Sequence, residues 1–60
     1  MHNEEVDELC KAAAAAKVKD KDDCEAYRLY KEAFKLGGVN AACQRMGENH
    51  IKQYEDRCFE

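Results

Sequence analysis

The chain has 60 residues, 38% of them charged, and a formal net charge of -3 at pH 7. That length makes a single domain, residues 1–60, whose core alone is marginal, because a chain this short buries only about 60% of its unfolded surface. The negative balance argues against nucleic acid, which asks for a basic face, and no apolar run approaches the roughly 18 residues of a bilayer-spanning helix.

A first helix is expected over about residues 4–19. Asn3 is placed to cap it, and Glu4 and Glu5 lie at its positive end. Val6, Leu9, Cys10, Ala13 and Ala16 recur at helical spacing, and Ala12 to Ala16 form an unbroken alanine run, the best helix former available. A stripe of alanine lets a neighbouring helix approach closely. Lys17, Lys19 and Lys21 suit the negative end of this helix, and Asp20-Lys21-Asp22-Asp23 reads as a short polar connection.

The second helix, about 23–36, has the clearest ends. Asp22 is a good N-cap with Glu25 at capping-box spacing, and Gly37-Gly38 closes the segment, since glycine enters the left-handed region without a Cβ penalty. Between them Ala26, Tyr27, Tyr30, Ala33 and Phe34 mark one buried face. The two tyrosines belong to the core, with hydroxyls that should reach solvent or a partner.

Asn40 can cap a third helix, expected over about 40–58. Cys43, Met46, Gly47, His50, Ile51, Tyr54 and Cys58 fall within one arc of it, and Arg45, Glu48, Lys52 and Glu55 fall outside. Gly47 costs such a helix about 1 kcal/mol against alanine, which marks a close helix crossing. Three helices with short links predict an all-α, up-down-up three-helix bundle.

Four cysteines, Cys10, Cys24, Cys43 and Cys58, allow three pairings. On one continuous helix Cys43 and Cys58 stand about 22 Å apart at the usual rise, which excludes a bond between them. In the up-down-up arrangement Cys10–Cys43 and Cys24–Cys58 fit best. The difference in height between Cys10 and Cys24 is small, so the third helix has to tilt or bend, with Gly47 as the place for it. Each bridge closes a loop of some thirty residues and contributes about 3.5–4 kcal/mol in the chain-entropy model. Structural zinc sites bring their ligands in pairs two to four residues apart; the cysteines are not so spaced, and no metal or other cofactor is expected. Disulfides in turn imply an oxidising compartment. The cysteine spacing also resembles the twin Cys-helix hairpins of the mitochondrial intermembrane space, but such a hairpin sets its inner cysteines level across the turn, and Cys24 lies farther from Gly37-Gly38 than Cys43 does.

No residue is assigned a catalytic role. His50, on the apolar face of the third helix, has no second ligand or nucleophile placed beside it by the sequence and reads as a packed histidine; His2 is near a chain end. Asp20, Asp22 and Asp23 are spaced like part of a calcium loop, but Cys24 stands at a ligand place and Glu25 at the glycine. Without a phosphate loop or a nucleophile-base pair, and with little room for a pocket of the usual few hundred Å³, an enzyme is not expected.

The run Glu25-Ala26-Tyr27-Arg28-Leu29-Tyr30-Lys31-Glu32-Ala33 resembles the second helix of microtubule-interacting-and-trafficking (MIT) domains, and Gln53-Tyr54-Glu55-Asp56-Arg57 resembles the end of their third. The same central run, with Leu36, Asn40, Ala41 and Met46-Gly47, is similar to a junction between tetratricopeptide repeats. The resemblance implies a cytosolic adaptor that grips a partner's helix between its own. The cysteines lead elsewhere, to a secreted or surface module that binds another protein. The partner-binding residues are not indicated by the sequence.

Overall fold

The structure is a computed structural model and describes residues 4–58. The readings of His2 and of Asn3 as a cap lie outside that range. Three helices follow in order, α1 (Glu4–Val18), α2 (Asp23–Leu36) and α3 (Ala41–Tyr54), and among the described residues there is no strand. They form the expected all-α three-helix bundle. α2 lies between the other two, packing along both, whereas α1 and α3 make little contact with each other.

Alanine governs the α1–α2 contact. Ala13 and Ala16 of α1 and Ala26 of α2 are buried in one cluster with Tyr30 and Cys43, and Cys10, Leu29, Val39 and Ile51 pack against it half-buried. Small side chains bring the two backbones close, and the Tyr30 ring, 1% exposed, supplies much of the bulk that fills the space beyond them.

The connection between α1 and α2 is tighter than its polar composition suggests. Lys21 takes a left-handed backbone with φ of 52°, and the Asp22 N–H donates to the Ala16 carbonyl at 2.9 Å. Asp22 caps α2, its carboxylate accepting from the Glu25 N–H at 3.1 Å. The reciprocal half of the capping box is diverted: the cap's own N–H is spent on Ala16, and the Glu25 carboxylate pairs with Arg28. At the other end Gly37 and Gly38 have φ of 83° and 74°, and the Gly37 N–H closes the helix on the Ala33 carbonyl at 3.1 Å. Asn40 then caps α3 through the Cys43 N–H at 2.8 Å.

Both expected bridges are present, Cys10–Cys43 and Cys24–Cys58. They interleave, first cysteine with third and second with fourth. The third helix corrects the sequence reading in two respects. It stops at Tyr54 rather than 58 and runs unbroken through Gly47. After Tyr54 the chain turns, with the N–H groups of Arg57 and Cys58 both donating to the Tyr54 carbonyl at 3.0 and 2.7 Å. That turn brings Cys58 to Cys24, with Cα atoms 5.1 Å apart. The first helix likewise ends at Val18, one residue before the expected Lys19. Met46, expected on the apolar face, is 46% exposed, because the flank of α3 that it occupies has little of α1 against it.

Candidate functional site

Chemistry-bearing side chains gather where the start of α2 meets the end of α3. His50 is 1% exposed, and its Nε2 lies 2.8 Å from the backbone carbonyl oxygen of Asp23. A carbonyl only accepts, so Nε2 is the donor of this bond; Nδ1 is buried with no hydrogen-bond partner. The ring sits between two tyrosines, with centroids 5.5 Å from Tyr30 and 4.6 Å from Tyr54. The side chain of Asp23 also faces Tyr54, the two lining one depression at this end of the bundle.

The electrostatics follow from those contacts. The hydrogen bond to Asp23, with burial and the charge of the same carboxylate behind it, raises the Tyr54 phenol above 10.0, against an opposing pull from Arg57. Arg57 also lies over the Tyr54 ring at 5.8 Å. Burial alone pushes Tyr30 upward. Cys24 and Cys58 close the same end of the bundle covalently, one residue beyond Asp23 and four beyond Tyr54.

The four cysteines named from the sequence are therefore brought together in two separate pairs, 33 and 34 residues apart in sequence. His50 is packed, as its place on the apolar face implied. Sequence reasoning missed its partner, because Asp23 accepts through a main-chain carbonyl that any residue type would offer. It missed the Tyr54–Asp23 pair as well; an acid in the first turn of a helix has a ready local explanation in the helix dipole.

Away from this end, two concavities share Phe34, Gln44 and Glu48. One, of about 560 Å³, extends along α3 to Ala41, Ile51 and Lys52; the other, of about 350 Å³, runs to Gly37, Gly38 and Val39. The bundle thus has concavities of a size the sequence reading did not anticipate, but they are open depressions on its surface. Among the described residues, no cysteine or histidine lines them. Among the described residues, no group of three or more His, Cys, Asp or Glu side chains could hold a metal ion, and no helix is long and apolar enough to cross a membrane.

Comparison with protein-family models, with curated proteins and with solved structures finds no match.

Proposed function

We propose that this chain is a non-enzymatic protein-binding module of an oxidising compartment, acting outside the cell or at its surface as a ligand, toxin, effector or surface-protein domain. The observation that supports this most is the pair of intramolecular disulfides. Two bridges in so small a chain are compatible with an oxidising compartment and ill suited to a reducing one. Among the described residues the buried apolar groups include four alanines, with Val6 and the two tyrosines as the bulky members, so the bridges supply constraint that the core does not. The charged outer faces and the open depressions beside Phe34 offer a surface for another protein, with no net positive charge for nucleic acid. An intracellular adaptor resembling MIT or tetratricopeptide helices is the alternative, and it needs a fold that survives with free thiols.

Intact mass and thermal melting together test the proposal. The natural protein is expected to weigh about 4 Da less than the fully reduced chain, as two bridges require. Its melting transition should collapse when both bridges are reduced and alkylated. Four free thiols in the natural protein, with the reduced chain melting at the same temperature, would transfer the case to the intracellular adaptor.

A further inference from the structure

The two bridges meet solvent differently. Cys43 is buried, and Cys10 is half-buried against the cluster of Ala13, Ala16, Ala26 and Tyr30. Cys58 is as buried as Cys43, so the difference lies in the other half of each bridge: Cys24 is exposed in the first turn of α2. It and Cys58 line two surface depressions, one shared with Tyr27 and Arg28 and the other with Asp23 and Tyr54. Thiol–disulfide exchange proceeds by thiolate attack on a sulfur, so its rate is governed in part by access.

The fold also limits what opening this bond would disturb. The end of α3 is tied to the start of α2 by a contact that involves no sulfur, His50 Nε2–H to the Asp23 carbonyl, and Tyr54 and Asp23 line the same depression beside it. Beyond Tyr54, residues 55–58 are held by the hydrogen bonds of Arg57 and Cys58 to the Tyr54 carbonyl and by the bridge itself. None of these contacts other than the bridge itself depends on sulfur, so opening the bond removes one tie between the turn after Tyr54 and the start of α2.

We infer that Cys24–Cys58 is a redox-labile bond, opened by small dithiols while Cys10–Cys43 stays closed, which gives the protein a second, singly bridged form. The inference takes as its starting point the doubly bridged protein of the proposed oxidising compartment. In the first step the dithiol's thiolate attacks Cys24 Sγ, the exposed side of the bridge. A bond forms between the reductant sulfur and Cys24, the Sγ–Sγ bond breaks, and its electron pair leaves on Cys58 as a thiolate. The second thiolate of the reductant then displaces Cys24. The reductant departs as a cyclic disulfide, oxidised by two electrons, and the protein keeps two thiols at Cys24 and Cys58.

The test is timed alkylation. The purified oxidised protein is exposed to dithiothreitol without denaturant, quenched with iodoacetamide at intervals, and mapped by peptide mass, with far-UV circular dichroism recorded in parallel. Label is expected at Cys24 and Cys58 at least about tenfold faster than at Cys10 and Cys43, with the helical signal retained at that stage. The double variant C24S/C58S is expected to keep Cys10–Cys43 closed at the dithiothreitol concentration that opens the wild-type bond. Equal rates, the reverse order, or a double variant that loses its remaining bridge as fast as the wild type loses Cys24–Cys58 would overturn the inference. Two intact bridges that open together defeat this inference alone. Four thiols before any reductant is added defeat the oxidising-compartment reading with it.

Discussion

His50 and Asp23, 27 residues apart in sequence, meet through a 2.8 Å hydrogen bond from an imidazole N–H to a main-chain carbonyl. It joins the last turns of α3 to the first turn of α2, with the imidazole fully buried and Asp23 half-buried. Replacing His50 with alanine removes the donor and leaves a cavity beneath Tyr30 and Tyr54, at a cost of about 3 kcal/mol. His50→Gln, whose terminal amide N–H can reach the same carbonyl, should lose about half as much. Urea denaturation of the two variants checks this; equal losses would mean that the ring's bulk, rather than its N–H, carries the contribution.

Gly47 is a contact residue. A methyl group at its Cα would come within 2.7 Å of Phe34 Cζ and 3.0 Å of Tyr30 Cδ1. The Phe34 ring is half-exposed and can give way, but Tyr30 is fully buried and cannot. Gly47→Ala is expected to destabilise by about 1–2 kcal/mol, even after the gain of roughly 1 kcal/mol in helix propensity. In a Phe34→Ala background the closest clash is gone, and the same substitution should cost less. A double-mutant cycle by chemical denaturation reads the coupling; additive losses would place the two residues out of contact.

Alkaline pH should unfold the protein. Tyr30 is held above 10.0 by burial, and Tyr54 chiefly by its hydrogen bond to Asp23. Raised folded-state values mean that the stabilisation is fully present below 10 and is lost as pH rises through the folded values. Stability measured by circular dichroism should therefore fall from about pH 10 upward, together with phenolate absorbance near 295 nm. Tyr54→Phe is expected to remove part of that slope. A variant with an unchanged slope would take Tyr54 out of the linkage.

Loss of one bridge should show in the melting temperature. Cys24→Ser releases a loop closed over 34 residues, worth about 3.5–4 kcal/mol in the chain-entropy model. For a domain of this size that corresponds to a fall of more than about 10 °C. Cys58→Ser is expected to match it, and the double variant to be no worse than either single one, because all three remove the same bond. Calorimetry decides, and an unchanged melting temperature in Cys24→Ser would remove the bridge from the account of stability.

How far the sequence could be read depended on which signals were local. α2 was predicted residue for residue, because an N-cap aspartate and a glycine pair both act within one turn of the helix ends. The bridging pattern was also within reach, since helix length and rise leave few pairs of cysteines close enough to bond. The end of α3 was not. Glu55, Asp56 and Arg57 carry no stop signal, and the helix yields there to a tertiary demand, the return of Cys58 to Cys24. The exposure of Met46 has a similar origin, since periodicity marks a face but cannot say whether a neighbouring helix covers all of it. The contacts of Asp23 escaped for a different reason: one uses the backbone, and the other uses an acid whose place at a helix start already looked explained.

Because the bridges interleave, with Cys24 inside the span of the first and Cys43 inside the span of the second, any one backbone cut between Cys10 and Cys58 leaves both fragments covalently joined. A protease that nicks the connection around Lys21, or the Gly37-Gly38 hinge, detaches nothing. Even both cuts together leave one covalent unit, because α1 and α2 are each bridged to the α3 segment, so damage that would dismantle an unlinked bundle leaves this one in a single piece until a reductant opens the bridges.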